Sequence, residues 1–264
     1  MDLQLRGKRA VVTGSTAGIG LSIAKALAQE GAAVVVNGRT GTRVDAAVQA
    51  VRSVAPGADV RGVAADLGSA EGCAEVVRAA PEADVLVNNV GIFEAKPFTE
   101  IGDAEWLRFF EVNVLSGVRL ARAYLPGMLA QNWGRILFIS SESGLQIPVE
   151  MVHYGTTKTA QLAVARGLAE ATRGTAVTVN AILPGPTRSE GVAEFVAGLA
   201  AQQRKSAEEV ERDFFQVARP TSLLQRFETP DEIAALVAFV ASPRASGVNG
   251  AALRVDGGVV RAIP

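Results

Sequence analysis

Short β-branched runs alternate with alanine-rich stretches of helical period along the whole chain. Runs of four to eight residues such as RAVVT read as buried strands, and longer stretches with apolar positions three and four apart read as amphipathic helices. This pattern predicts strands at 9–13, 33–36, 60–64, 84–88, 135–140, 176–183 and 251–255. It predicts helices at 19–29, 43–54, 70–79, 103–130, 153–172 and 231–240, with a more polar helical stretch over 187–218. Gly31, Pro56-Gly57 and Pro184-Gly185-Pro186 mark ends of elements, as residues that stop helices or turn the chain. Strands that alternate with helices imply a parallel sheet covered on both faces. The expectation is a single doubly wound α/β domain over 1–264, with a sheet of about seven strands. No Pro, Gly or Ser linker divides the chain, and no fixed repeat appears.

Composition narrows the function more than the fold. Hydrophobic residues make up 48% and charged residues 20%, which argues against disorder. A net charge of -1 supplies no field for nucleic acid or an acidic membrane surface, so neither is an expected partner. Cys73 and His153 are the single cysteine and histidine, so no disulfide, zinc cluster or other metal site is expected. Cys73 reads as a small core hydrophobe, and Trp106 and Trp133 as packing anchors. The first eight residues lack a signal peptide's apolar core, and no apolar run reaches the roughly 18–20 residues of a membrane span. A reducing cytoplasm is the expected location.

Chemistry enters at the first strand–helix turn, Gly14-Ser15-Thr16-Ala17-Gly18-Ile19-Gly20. In a doubly wound sheet this turn carries a pyrophosphate, because free N–H groups and the helix dipole favour an anion there. Glycine at 14 permits a tight turn, at 18 close approach to a ligand, and at 20 close helix–strand packing. The spacing is G-x3-G-x-G rather than G-x-G-x-x-G, and the alternative is an ordinary glycine-rich turn. At the end of the second strand, an acid would hold a ribose 2′-hydroxyl. The chain has Asn37-Gly38-Arg39 instead, and arginine matches phosphate, so NADP is expected before NAD. A solvated Arg39 is the other reading. Asp66 either accepts from an adenine amino group or caps the following helix.

Tyr154 and Lys158 stand four residues apart on a predicted helix and share a face. A nearby ammonium stabilises phenolate and brings tyrosine towards use as an acid or base at neutral pH. Alone, such a pair is commonplace on solvated helix faces. Ser141 strengthens it, because it ends a predicted strand at the carboxyl edge where ligands bind in open parallel sheets. Asn113 sits mid-pattern in the long helix, where an amide is unfavourable and invites another role. His153 points about 100° away from Tyr154 on that helix, which predicts a surface or interface position.

In this order and spacing, the chain resembles the short-chain dehydrogenase/reductase family over essentially its whole length. The resemblance rests on Thr13-Gly14-x-x-x-Gly18-Ile19-Gly20, Asn88-Asn89-Val90-Gly91, Asn113, Ser141, Tyr154-x-x-x-Lys158, Pro184-Gly185 and Val255-Asp256-Gly257-Gly258. It implies a Rossmann-type domain and hydride transfer between a nicotinamide and a carbonyl or secondary alcohol. It implies a tetrad: Tyr154 as acid/base, Ser141 orienting the substrate oxygen, Lys158 on the nicotinamide ribose, and Asn113 supporting a water-linked proton relay. It extends the cofactor lining to Ser15, Thr16, Leu67, Asn89, Val90, Gly91, Pro184, Gly185 and Thr187. Equivalent helices of the family pair subunits, which implies a homodimer or homotetramer. Among its members, bacterial 3-oxoacyl-thioester reductases and sugar or polyol dehydrogenases are similar to this chain. Val90 stands where alanine is usual, the segment between Asp66 and Asn88 is shorter, and Glu142 follows Ser141 directly. Glu142 is expected to face solvent rather than to reach a polar substrate, the other reading.

Residues 187–218 carry apolar positions at helical spacing, among them Val192, Phe195, Val196, Leu199, Val210, Phe214 and Phe215. They read as a lid over a substrate pocket, or as helices closing the main core. The competing functional reading is a non-catalytic dinucleotide sensor or scaffold on the same fold, which would be expected to lack a tetrad member.

Overall fold

The computed structural model describes residues 1–263, including every side chain except those of Glu194, Phe195, Leu199 and Gln203. Phe195 and Leu199, two of the expected apolar positions of the lid, therefore lie outside the described side chains. Seven parallel strands form one sheet: β1 (Arg9–Val12), β2 (Ala33–Gly38), β3 (Val60–Ala64), β4 (Val85–Asn88), β5 (Gly134–Ile139), β6 (Val177–Pro184) and β7 (Ala252–Val255). Their order is β3-β2-β1-β4-β5-β6-β7, so the winding reverses between β1 and β4. That switch point opens a crevice at the carboxyl ends of the strands.

The central strands β4, β5 and β6 are buried along their whole length, as a strand covered on both faces must be. One layer packs α1 (Gly18–Gln29), α2 (Gly41–Val54) and α9 (Pro230–Val240) through Ile23, Leu27, Val44, Val51, Ile233 and Val237. The opposite layer packs α3 (Ala70–Ala79), α5 (Ser116–Ala130) and α6 (Val152–Ala171) through Val76, Leu120, Met128, Ala165 and Ala169. Cys73 is buried in this second layer. Trp133 is half-buried, with the Lys8 ammonium 3.8 Å from its ring centroid.

The predicted long helix is interrupted. After α4 (Asp103–Phe110), residues Glu111–Leu115 form a single wide π turn before α5 begins. Such turns insert a residue into the helical ladder and often mark functional positions. Asn113 lies in its middle, which accounts for an amide where a regular helix disfavours one.

Residues 190–217 form two helices, α7 (Glu190–Gln203) and α8 (Ala207–Val217), each begun by a serine cap. Ser206 and Glu209 form a reciprocal capping box on α8. The pair has a small core of its own, made by Val196, Val210, Phe215 and Phe227 with Phe214 against it. Among the described residues, no helix is long and apolar enough to cross a membrane.

Candidate active site

The β1–α1 turn sits at the switch point and is held from below. Asn37, buried at the end of β2, accepts from the Gly14 N–H at 3.2 Å and donates to Val63 and Ala65 carbonyls at 3.2 Å each. Asn89 donates to the carbonyls of Thr13 and Gly14 at 3.0 Å each. The Thr13 hydroxyl accepts from the N–H groups of Asn89 and Val90. Ser15 is used up in the loop: its hydroxyl donates to Val12 O at 2.7 Å and its N–H to Asn37 O at 2.8 Å. Its hydroxyl and N–H thus fix the loop and are not free donors.

Gly14 and Gly18 have φ of 59° and 52°, in the left-handed region where only glycine is unstrained. No side chain caps α1, so its first N–H groups are left for a ligand. A glycine-lined, uncapped helix start with a positive dipole end fits an anion such as a pyrophosphate. Val90, the residue that replaces the usual alanine, presses on the loop itself: its Cγ2 would lie 3.0 Å from a Cβ built on Gly14. Gly38 is required by close packing, because Thr16 Cγ2 would lie 2.4 Å from its Cβ. Arg39, next in sequence, is exposed and makes no ion pair or side-chain hydrogen bond among the described residues. Asp66 is exposed and its Oδ1 accepts from the Gly68 N–H, while Ser69, not Asp66, caps α3. Leu67 buries its side chain in the core, which leaves only its backbone to face the crevice.

The catalytic candidates meet at the carboxyl ends of β4 and β5. Beyond β5, the Ser140 hydroxyl donates to Lys158 O at 2.8 Å, and Ser141 caps a one-turn helix, Glu142–Gly144. Helix α6 brings Lys158 back under this turn, where its ammonium donates to Ile139 O at 2.9 Å. That ammonium stands 5.6 Å from the Tyr154 ring centroid. A Cβ on Gly91 would lie 3.4 Å from Lys158 Nζ and 3.5 Å from Asn113 Oδ1, so three predicted positions converge there. Asn113 ties the segment after β4 to α6: it accepts from the Ile92 N–H at 2.7 Å and donates to Ile92 O and the Thr157 hydroxyl. Its main-chain carbonyl accepts from Gln161 at 2.6 Å. Phe93 packs edge-on to Tyr154, with centroids 6.2 Å apart.

Burial dominates the electrostatics. It pushes the Tyr154 phenol above the ordinary tyrosine range, helped by the Glu142 charge and opposed by the Ser141 hydroxyl and Arg219. It also depresses Lys158 to about 8, against the stabilising Glu142 charge. In the free protein desolvation therefore outweighs a cation whose hydrogen bond is spent on Ile139.

Two further expectations are corrected. Glu142 does not face solvent: it is 4% exposed, and its carboxylate accepts from the Ser141 hydroxyl and from Ser143 N–H. Its other oxygen accepts from Arg219 Nε at 3.0 Å. His153 is not at the surface: it is fully buried beside Phe109, with ring centroids 4.0 Å apart, and Trp106. Burial lowers its pKa, and neither ring nitrogen has a hydrogen-bond partner among the described residues, so it serves as a core ring. The pattern gave no sign of Arg219, Thr157 or Gln161, because their partners lie far along the chain or are backbone atoms.

At the end of β6, Gly185 lets the backbone at Asp256 pack close, since its Cβ would lie 2.7 Å from Asp256 Cα. The Thr187 hydroxyl donates to Gly185 O at 2.9 Å. Buried Glu228 accepts from the Gly185 N–H, and burial raises its pKa to about 7. No group of three or more His, Cys, Asp or Glu residues able to hold a metal occurs among the described residues.

Known proteins are similar to this chain along its length. A family profile described as short chain dehydrogenase matches residues 8–199. The oxidoreductase YvaG of Bacillus subtilis is 49% identical over 263 residues, covering all of both chains. The D-beta-hydroxybutyrate dehydrogenase of Cupriavidus necator is 35% identical, covering 97% of this chain and 99% of its own. Among solved structures, L-sorbose reductase from Gluconobacter frateurii, complexed with NADPH and L-sorbose, superposes with a TM-score of 0.93. It is 32% identical and covers both chains completely.

Proposed function

The chain belongs to the short-chain dehydrogenase family of oxidoreductases, and from that premise we propose that it reduces a ketone or aldehyde, or oxidises the matching alcohol, with a preference for NADP. The observation that carries this reading is the convergence of Tyr154, Lys158, Asn113 and Ser141 beside an uncapped glycine-lined helix start. The bound dinucleotide would supply or accept the hydride. The N–H groups at Gly18, Ile19 and Gly20 suit its pyrophosphate, Gly14 shapes the turn that presents them, and Asp66, Leu67, Asn89, Val90, Gly91, Pro184, Gly185 and Thr187 border its path. Lys158 would hold the nicotinamide ribose. Tyr154 gives a proton to the substrate oxygen in reduction, and Ser141 orients that oxygen. Asn113 holds the chain after β4 against α6, which keeps Lys158 and Tyr154 in register. All four members of the tetrad are present, which weighs against the sensor or scaffold reading.

The test is a panel of ketones, aldehydes, sugars and 3-oxoacyl thioesters, assayed with NADPH and NADH. Absence of turnover across the panel with both cofactors would count against an enzyme of this class. The L-sorbose and D-β-hydroxybutyrate of the relatives' names make hydroxyketones and hydroxy acids natural first probes. Arg39 is the proposed 2′-phosphate ligand, since it is exposed just after β2 and has no protein partner among the described residues. Arg39→Ala should raise KM for NADPH at least tenfold and leave NADH within a factor of two, because a charge-assisted contact contributes about 1.5–3 kcal/mol. Equal losses for both cofactors would remove this assignment.

Two structural readings accompany the function. An apolar groove of about 360 Å³ between α5 and α6, lined by Val118, Leu125, Leu129, Val164 and Leu168, suits subunit pairing into a homodimer or homotetramer. The pair α7–α8, with its own small core, suits a lid. Its amides should exchange hydrogen faster than those of β4 and β5 and slow on addition of NADPH; exchange as slow as in the strands under both conditions would exclude a lid.

A further inference from the structure

Ser141 and Glu142 stand side by side at the place where Ser141 is to hold the substrate oxygen. One Glu142 oxygen accepts from Arg219 Nε at 3.0 Å; the other accepts from the Ser143 N–H at 2.8 Å and from the Ser141 hydroxyl. Arg219, which follows α8, also donates to Ala218 O at 2.8 Å and reaches Glu150 at 3.5 Å. The Glu142 and Arg219 side chains are 6% and 10% exposed. Backbone and guanidinium thus fix the carboxylate, and a buried carboxylate is stable only while its oxygens keep donors. The bond from Ser141 is the one that a substrate can exchange. The Ser143 N–H also reaches Ser141 Oγ at 3.1 Å, which holds that oxygen while its proton is free to turn. A serine hydroxyl has one proton. When Ser141 turns it to a substrate carbonyl, as its role requires, the Glu142 oxygen beside it loses a donor.

We propose that Glu142 is a substrate-specificity residue: its carboxylate accepts the hydroxyl on the carbon next to the reacting carbonyl, which makes α-hydroxyketones and the matching vicinal diols the substrate class. The assignment rests on the carbonyl-reductase reading and on Ser141 donating to the carbonyl. Oxygens on neighbouring carbons lie about as far apart as two hydrogen-bonded oxygens. They can therefore meet Ser141 and Glu142, which are themselves hydrogen-bonded to each other. The hydroxyl replaces the donor that Ser141 withdraws, and the carboxylate keeps its full set of partners. A methyl in its place leaves that carboxylate oxygen with the Ser143 N–H alone. A carboxylate in its place meets the Glu142 charge, while Arg219 is already matched by Glu142 and approached by Glu150. Lys158, the other cation beside the phenol, donates to Ile139 O. A neighbouring hydroxyl is thus favoured over an apolar or an anionic group.

The test measures kcat/KM with NADPH for three carbonyls of similar shape. These are hydroxyacetone, butanone, and fluoroacetone, which keeps the electron withdrawal but has no donor. Pyruvate supplies the anionic neighbour. Wild type should favour hydroxyacetone over fluoroacetone and butanone by about 10–100-fold, the worth of a hydrogen bond to a charged group. Pyruvate should be a poorer substrate than hydroxyacetone. In Glu142→Gln the preference should fall to about 3–10-fold, because charge roughly doubles the strength of such a bond. Orphaning a buried cation can hinder folding, so the paired replacement Glu142→Met with Arg219→Leu is the second variant, and it should erase the preference. A carboxylate that merely packed the turn would, on removal, slow all the substrates together and leave their ratios unchanged. That result would overturn the role, as would a wild type that treats hydroxyacetone and fluoroacetone alike. Pyruvate as the best of the four would give the position to an anion on Arg219 instead. Turnover of other carbonyls with no preference for a neighbouring hydroxyl would sink this assignment and leave the reductase reading standing. No turnover of any carbonyl would sink both.

Discussion

Turnover in Tyr154→Phe is expected to fall roughly 10²–10⁴-fold, the usual contribution of a positioned acid or base. The substitution removes one oxygen and keeps the ring, so the edge-on contact with Phe93 survives. The main-chain bond from the Thr157 hydroxyl to Tyr154 O, at 2.7 Å, survives as well. Dinucleotide affinity, measured by quenching of protein fluorescence or by calorimetry, should stay within about threefold, since Lys158 and the glycine loop are untouched. The loss should appear in kcat and kcat/KM alike, the signature of an interaction made only in the transition state. Burial holds the phenol protonated well above neutral pH, so the wild-type reductive rate should be flat from acid to neutral conditions and decline only in alkali. Retained turnover in the variant would show that another group, or water, delivers the proton.

Much of this arrangement was legible in the chain before any coordinates. The run at 84–88 is nearly where the structure has β4, because a strand buried on both faces leaves a continuous apolar run; 60–64 and 70–79 match β3 and α3 as well, although β3 is a largely exposed edge strand. Asn113 was legible as an anomaly, and the π turn is its physical cause. The acidic residue after Ser141 was misread because a carboxylate in sequence carries no mark of its partner, and its arginine lies 77 positions away. His153 was misread for a related reason: the helical wheel placed it off the Tyr154 face, and α4 covers that second face with Trp106 and Phe109. Periodicity reports which face is apolar; it does not report how many faces are covered. For Tyr154, proximity of Lys158 was visible in the spacing, and the desolvation that raises the phenol in the free protein was not.

The loop itself makes the second large prediction. Gly20→Ala should lower dinucleotide affinity about 10²-fold, the scale of loss that a misplacement near 1 Å produces. It should also destabilise the fold by about 1–3 kcal/mol, as overpacking does. On propensity alone the change would help, because alanine is better than glycine within a helix by roughly 1 kcal/mol. Local sterics decide the sign. The new Cβ would meet Gly14 O at 2.4 Å and Asn89 Nδ2 at 2.5 Å, and neither is the loose end of a flexible side chain. Gly14 O is backbone, and Asn89 Nδ2 is the donor that joins the loop to the end of β4. Relief requires α1 to move away from the loop, which displaces the N–H groups that suit the pyrophosphate. Gly167→Ala in α6 is the control: nothing lies within 4 Å of its Cβ, so it should stabilise by about 0.5–1 kcal/mol and leave affinity unchanged. Thermal melting and NADPH titration of both variants separate the two terms. If Gly20→Ala bound NADPH as tightly as wild type, the α1 start would not be the pyrophosphate site, and Arg39 and Lys158 would need another explanation for their placement around it.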